Sequence, residues 1–354
     1  MRALQHVIRG LLVGSIVAAS SVAAEPTRIG SWNLMRLGDG DTRDIDGMAR
    51  VASLFDIIAV QEVMSSAGAD RLLARIEATS GEDWDMILSD GIGRGSYKEM
   101  YAILWQTDAV SWIDGAVVYA DPGDVFAREP LSARFKTADG LSFVLASTHI
   151  IYGDSVAERE TEVAALGAYR DWLTASFPGT PVFVAGDFNL PPDNPAWTAM
   201  GVASFPMITA GATTLSSKDR QYANLYDNIW APAGVPLPIV SAGIIQYPEK
   251  VLEIDHETAR SRVSDHAPVW IEIDATAAPV TLPPFFDGIA APRTTTKDEP
   301  AAAHLAAVIG NKNSQIYHVE GCPGFSSTSQ KNRVAFNTEN DALSAGYRKA
   351  KNCR

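Results

Sequence analysis

The chain has 354 residues, 46% of them apolar and 20% charged, which excludes a collagenous, coiled-coil or wholly disordered protein and allows two domains or one large domain with an appendage. Lys and Arg number 29 against 42 Asp and Glu, a formal charge of -13, so a basic nucleic-acid clamp is not described and a phosphate substrate calls for a divalent metal or a local basic patch. Two cysteines are too few for a disulfide scaffold and cannot alone complete a four-thiolate zinc site.

Residues 1–24 read as a signal peptide: Arg2 and Arg9 precede the apolar run from Leu11 to Ala19, and Val22, Ala23 and Ala24 offer small residues before Glu25. The run is too short to span a bilayer comfortably, and no other stretch is long and apolar enough. Export to the periplasm or beyond the cell, without membrane insertion, is therefore expected. From Glu25 to about Asp274, strand-like runs alternate with amphipathic stretches. The runs are Arg28 to Asn33, Ile57 to Gln61, Ala102 to Trp105, Ser142 to His149, Pro181 to Gly186 and Ala267 to Ile273. Ala157 to Ala175 has helical periodicity, with Val163, Leu166, Tyr169 and Leu173 on one side. The alternation predicts an α/β (α+β) domain over 25–274, strands backed by helices. Residues 275–308, with Pro279, Pro283, Pro284, Pro292 and Pro300, read as an extended linker. The tail, 309–354, regains aromatics and holds both cysteines, a second small module. Its seven basic and three acidic residues give it +4, leaving the large domain strongly acidic.

Short polar signatures close the predicted strands: Ser31-Trp32-Asn33, Gln61-Glu62-Val63, Ser147-Thr148-His149, Gly186-Asp187-Phe188-Asn189, Tyr226-Asp227-Asn228 and Ser264-Asp265-His266. Singly each has an ordinary explanation, a solvated loop, a turn or a packed histidine. Jointly they supply what metal-assisted phosphodiester hydrolysis needs. Glu62, Asp187 and Asp265, with the amides of Asn33 and Asn189, are hard oxygen ligands suited to Mg2+, Mn2+ or Ca2+. His149 and His266 titrate near neutrality and can divide the general acid and base work, with Glu99 and Asp227 as orienting carboxylates. Arg128 could clamp a phosphate with two parallel hydrogen bonds.

This set, in this order, resembles the deoxyribonuclease I branch of the endonuclease/exonuclease/phosphatase superfamily over about Arg28 to Ile273. Gly93-Arg94-Gly95-Ser96-Tyr97-Lys98-Glu99-Met100-Tyr101 is similar to the deoxyribonuclease loop that enters the minor groove, and Arg128-Glu129-Pro130 matches the family's phosphate-contacting arginine segment. The resemblance implies a four-layered β-sandwich flanked by helices, with the site at one edge of the two sheets. It implies Glu62 as principal metal ligand beside Asn33 and Asp265, and Asp187 and Asn189 on the metal or the scissile phosphate. By the same likeness His266, oriented by Asp227, activates water, and His149, oriented by Glu99, protonates the leaving 3'-oxygen; other branches give the base role to the aspartate at position 187. Tyr97, Arg128 and Tyr226 would contact substrate. Departures are Met64 in place of a minor-groove arginine, Met35 in place of a basic residue although Arg36 follows, and the absence of cysteine from the large domain.

The expectation is an exported, metal-dependent endonuclease, a monomer, cutting DNA with low sequence selectivity and leaving 5'-phosphates. The alternatives are a phosphodiesterase or phosphatase of the same superfamily acting on RNA, a lipid headgroup or another phosphoester, and a catalytically silent nucleic-acid binder. The tail resembles the Ada-type metal-binding fold, whose four cysteine positions read here as His318, Cys322, Ala350 and Cys353. With one ligand missing, a three-ligand Zn2+ site competes with a Cys322–Cys353 disulfide. Export and ligand count favour the disulfide, worth roughly 3 to 4 kcal/mol for a loop of about 30 residues.

Overall fold

The computed structural model describes residues 25–286 and, further on, 308–312, 314–319, 333–336, 339–344 and 347–350. The expected signal peptide, Cys322 and Cys353 lie outside the described residues. Two compact units divide the chain, Met1–Ile289 and Ala290–Arg354.

In the first unit, strands β1 (Thr27–Leu37), β2 (Ile57–Val63), β3 (Trp84–Leu88), β4 (Met100–Gln106), β5 (Val110–Val118), β6 (Leu131–Thr137), β7 (Ser142–His149), β8 (Val182–Asp187), β9 (Ser204–Pro206) and β10 (Asp227–Pro232) precede the short β11 (Pro236–Leu237), then β12 (Ile239–Ile244), β13 (Val269–Ile273) and β14 (Val280–Thr281). Helices α1 (Ile45–Ala52), α2 (Ser66–Ser80), α3 (Val156–Ser176), α4 (Thr198–Gly201) and α5 (His256–Arg262) lie between them. The strands form two six-stranded sheets, β12-β13-β1-β2-β4-β3 and β5-β6-β7-β8-β10-β9.

Strand alternation explains the layering. On β1, Ile29 joins the core between the sheets and Trp32 the layer under α1 and α2; on β7, Phe143 and Leu145 face the sister sheet while Val144 and Ala146 face α3. Because both faces of each sheet are covered, the strands read as nearly continuous apolar runs. Helix α3 starts where the Ser155 side chain caps the Glu158 N–H, and its Val163, Leu166, Tyr169 and Leu173 are fully buried. The architecture is the four-layered sandwich expected. Truncating a ring at its centre, such as Phe183→Ala, should cost about 3–5 kcal/mol.

Each sheet has one parallel pair at its middle, β1 with β2 and β7 with β8. Residues at the C-terminal ends of these four strands, Asn33, Glu62, His149 and Asp187, meet at one sheet edge. Across the second sheet the register is direct, His149 opposite Asp187 and Asp187 opposite Asp227. Gly186 permits it: its φ is 152° and a Cβ there would stand 1.8 Å from the Thr148 carbonyl oxygen.

Residues 275–286 are packed, where composition suggests an extended linker. β14 pairs with β11, Phe285 and Phe286 pack on the α3 side of the second sheet, and the Phe285 N–H donates to the Gly201 carbonyl at 2.9 Å. Residues 275–286 therefore belong to the first unit, because two adjacent rings outweigh the surrounding Pro, Ala and Thr. Residues 287–307 lie outside the described residues.

The second unit contains β15 (Val308–Asn311), β16 (Ile316–Val319), β17 (Arg333–Phe336) and β18 (Arg348–Lys349) in the order β17-β15-β16-β18, with helix α6 (Glu339–Ser344). Val308, Tyr317 and Ala342 form its small core, and the Tyr317 hydroxyl donates to Glu339 at 2.8 Å. His318 lies on β16 and Ala350 is buried just after β18. No helix among the described residues is long and apolar enough to cross a membrane.

Candidate active site

The ends of β1 and β2 are bent out of the ladder. Pairing of β1 with β2 shifts register between Asn33 and Leu37, and pairing of β2 with β4 shifts between Val60 and Val63. Met35, Arg36 and Glu62 have φ of 47°, 58° and 58°, a left-handed backbone that costs non-glycine residues about 1–3 kcal/mol each. Side chains offset this cost. The buried Gln61 amide donates to Ser31 Oγ at 3.2 Å and Ser147 Oγ at 2.9 Å, fastening the two sheets beneath Glu62. The Arg43 guanidinium donates to the carbonyls of Leu34, Met35 and Val263, and Ser264 Oγ donates to the Asn33 carbonyl at 2.6 Å while accepting the His266 N–H at 3.0 Å. The bulge after Asn33 and the turn carrying Asp265 and His266 are thereby tied together.

Two histidine–carboxylate pairs converge on one oxygen. His149 Nδ1 bonds Glu99 at 2.9 Å and His266 Nδ1 bonds Asp227 at 2.8 Å, while their Nε2 atoms stand 3.5 and 3.6 Å from Asp187 Oδ2. A carboxylate on Nδ1 fixes the ring and leaves Nε2 to exchange a proton. Burial and the Arg128 cation pull the His149 imidazolium down, but Glu99 and Asp187 outweigh them and its pKa rises. Burial likewise opposes the His266 charge, yet Asp227 and Asp187 hold it well above the ordinary value. Asp187 is pushed up by burial and pulled down further by the two imidazoliums, so it stays ionised.

Arg128 differs from the expected phosphate clamp. Its guanidinium forms a salt bridge with Glu99 and its Nε donates to the His149 carbonyl at 3.1 Å, so one edge is committed to holding the His149 partner. Its buried Nη2 has no hydrogen-bond partner, and the side chain lines the cleft, leaving a donor for an anion. The Tyr101 hydroxyl accepts the His149 N–H at 3.0 Å and donates to the Arg128 carbonyl at 3.4 Å.

These groups floor a cleft of about 950 Å³. Glu62, Asp187, Asn189 and Asp265 line it, with Arg36, Tyr97, Tyr152 and Tyr226 also on its walls. Tyr97 is half-exposed and the Arg36 guanidinium lies 5.9 Å from its ring centroid, so Arg36 supplies a cation where Met35 and Met64 do not. Asp265 pairs with Arg260 at 3.3 Å. Asn189 donates its N–H to Asp187 Oδ1 at 3.0 Å and its amide to the Ile150 carbonyl at 2.9 Å.

Three carboxylates, Glu62, Asp187 and Asp265, in one cleft form a hard-oxygen set that fits a divalent cation, and their combined charge would repel a phosphate without one. Histidine–carboxylate clusters close enough to share an ion are Glu62, Glu99 and His149, and Asp187, Asp227 and His266. Asn33 stands between two of the expected carboxylates. Its Oδ1 accepts the Met35 N–H at 2.8 Å, and its Nδ2 donates to Glu62 and to Asp187 at 3.0 Å each, so it positions two carboxylates.

Sequence reasoning missed Glu162, Arg159 and Tyr152. Buried Glu162 on α3 accepts the Ala127 N–H at 2.7 Å and the Ile151 N–H at 2.9 Å, joining the loops that carry Arg128 and His149; burial raises its pKa. The available signal was periodic: Arg159 and Glu162 share the buried face of α3 with Leu166 and Tyr169.

The family model described as Endonuclease/Exonuclease/phosphatase family matches residues 30–266. A protein named Deoxyribonuclease from Thioalkalivibrio sp. (strain K90mix) is 45% identical over 264 residues, covering 72% of this chain and 73% of its own. Human Deoxyribonuclease-1 is 28% identical over 198 residues, covering 51% of this chain and 68% of its own. Among solved structures, a mannosyl-6-phosphatase of Bacteroides thetaiotaomicron superposes with a TM-score of 0.51 at 17% identity, over 70% of this chain and 99% of that one, which shows a shared fold.

Proposed function

Because the chain belongs to the Endonuclease/Exonuclease/phosphatase family and is a hydrolytic phosphodiesterase of nuclease type, we propose that it is an exported, divalent-metal-dependent endonuclease that cuts DNA with little sequence selectivity. The observation that carries the chemistry is the convergence of His149 Nε2 and His266 Nε2 on one oxygen of Asp187, inside an acidic cleft. DNA as substrate is supported by the 45% identical deoxyribonuclease and by the rim, where Tyr97, Tyr226, Arg36 and Arg128 offer rings and cations to a sugar-phosphate backbone. Such contacts read shape more than base edges, hence the low selectivity. Export is supported by residues 1–24, and a monomer is the form proposed.

Glu62 and Asp265, with Asp187, would hold the cation. When bound, Mg2+ or a similar ion offsets charge developing on the phosphoryl oxygens. The protein's own groups then move the protons. His266 in its neutral form, which the charge of a bound cation would favour over the imidazolium that Asp227 and Asp187 otherwise hold, takes a proton from the attacking water, steadied by Asp227, and Asp187 lies beside both imidazoles to stabilise the charge they carry. Glu99 holds the His149 imidazolium, which delivers its proton to the departing 3'-oxygen and leaves a 5'-phosphate and a 3'-hydroxyl. Arg128 Nη2 meets a phosphate oxygen.

Nicking of supercoiled plasmid by the mature chain tests the proposal. With Mg2+ the plasmid should be nicked, EDTA should stop it, and His149→Ala and Glu62→Ala should each lower the rate by about a thousandfold. Plasmid left intact by folded protein under Mg2+, Mn2+ and Ca2+, with a small phosphodiester still hydrolysed, would move the substrate to another phosphoester.

A further inference from the structure

Between β9 and β10 a hairpin over residues 214–224 lines the cleft, and the proton-transfer groups make no use of its tip. Backbone bonds close it, from the Ser216 N–H to the Gln221 carbonyl and from the Ala223 N–H to the Thr214 carbonyl, at 2.9 Å each. Its base is stitched to the site. Thr214 bridges to His266, the Leu215 N–H donates to the Asp265 carbonyl at 2.7 Å, and Arg260 donates to the Leu215 carbonyl at 2.9 Å while pairing with Asp265. Ser216, Ser217 and Lys218 continue along the cleft. Lys218 is only three residues from Leu215, at most about 10 Å of chain, so its ammonium works beside the Asp265 end of the cleft.

The tip carries three charges and sorts them. Asp219 accepts the Gln221 N–H at 3.2 Å, and Arg220, with a left-handed φ of 58°, pairs with Glu257 of α5 at 2.7 Å. Lys218 is exposed and its backbone N–H donates to Ser216 Oγ at 3.1 Å, but its ammonium has no partner among the described residues. The other cations of the cleft are engaged, Arg128 with Glu99, Arg260 with Asp265, and Arg36 over the Tyr97 ring. An exposed lysine is ordinarily a solvated charge. This one is held on a braced hairpin in a cleft whose carboxylates repel phosphate, where an uncommitted cation is what a polyanion can meet.

We infer that Lys218 binds a backbone phosphate flanking the scissile one, so that the hairpin selects a phosphodiester chain over a small phosphoester. This deepens the DNA-cutting reading above and rests on it. A small diester or a monoester brings a single phosphorus centre, which the catalytic groups and Arg128 would take. Only a polymer offers a second phosphate, and an ammonium placed against it releases a counterion without reading a base. The contact suits an intact duplex and adds affinity independent of sequence, in line with the low selectivity proposed.

The test assays the full chain on duplex DNA and on bis(para-nitrophenyl) phosphate, with KCl varied between about 50 and 200 mM at fixed Mg2+. Lys218→Ala should raise KM on the duplex about tenfold at the lower salt and about threefold at the higher, with kcat changed by less than about twofold. The slope of log KM against the logarithm of KCl concentration should fall by about 0.9, one phosphate contact, and by the same amount on duplexes of unrelated sequence. Lys218→Arg should keep the wild-type slope, and the small diester, too short to reach the hairpin, should be hydrolysed by Lys218→Ala within about twofold of the wild-type kcat/KM. An Ala variant with wild-type slope and KM would show a merely solvated charge, and equal losses on both substrates would show that the residue only props the hairpin. Either result overturns the inference while DNA cutting stands. Folded wild-type protein that hydrolyses the small diester but cuts no DNA would remove the parent reading and this one with it.

Discussion

The two sheets contribute to the site in different ways. The second sheet delivers His149, Asp187 and Asp227 from three adjacent strands in direct register, so their spacing is set by the hydrogen-bond ladder. The first delivers Asn33 from the last regular β1–β2 pair and Glu62 from a strand end that has left the ladder, with left-handed residues held in place by Arg43, Gln61 and Ser264. Proton transfer demands distances fixed to a fraction of an ångström, and regular strands supply them. A carboxylate that is to meet an ion and a substrate needs access, and the bulge turns Glu62 out to the cleft while its neighbours stay buried.

The strongest way to break this contrast is Gly186→Ala. The added Cβ would collide with the Thr148 carbonyl, forcing β7 and β8 apart one residue before His149 and Asp187. We expect a loss of more than about 3 kcal/mol in urea unfolding, and plasmid nicking reduced to background. A retained denaturation midpoint would show that the ladder does not set the row.

Asn33→Asp attacks the bond between the two halves, since one amide nitrogen serves both Glu62 and Asp187. The change removes a donor and adds a carboxylate between Glu62 and Asp187. Activity should fall about 10- to 100-fold at fixed Mg2+, with the Mg2+ titration midpoint displaced and the unfolding curve little altered. An unmoved titration would return Asn33 to a passive role.

Arg43→Met probes the bulged side alone. Four carbonyls lose their donor, and stability should drop by about 2 kcal/mol as read by denaturant titration.

The smallest expected effect is one of pH. Burial raises the Glu162 carboxyl above its ordinary value, so the folded chain holds that proton more tightly than the unfolded chain does. The corresponding stability is present below the ordinary carboxyl pKa and is lost as pH rises through the folded value. Glu162→Gln should flatten that stretch of the stability–pH profile; a parallel profile would contradict it.

Most of the site could be read from strand-end residues. The pairs Glu99 with His149 and Asp227 with His266 meet as expected, and α3 covers the predicted stretch with one residue added at each end. Which atom a side chain presents could not be read. Asn33 turns its nitrogen to the carboxylates because the Met35 N–H, on a left-handed bulge, takes its oxygen, and no periodicity encodes that bulge. That Arg128 commits one edge to Glu99 could not be read beside its expected clamp role, because Glu99 arrives from the loop before β4. The sequence assigns no role to Arg159 and Glu162, since their partners are backbone groups of distant loops.

The docking of Phe285 and Phe286 also bears on how this protein can be cut and recombined. Phe285 meets Phe205 and Trp230 edge-on, with centroids 5.6 and 5.9 Å away, and Phe286 occupies the space that a side chain at Gly201 would take. A fragment ending at Asp274, where the sheet itself stops, would uncover an aromatic seam and leave β11 without its pairing strand. Such a fragment would aggregate. Any transplant of the first unit onto another carrier should therefore keep the chain through Phe286, and a natural fusion joint is better sought after that position than at the last strand of the large sheet.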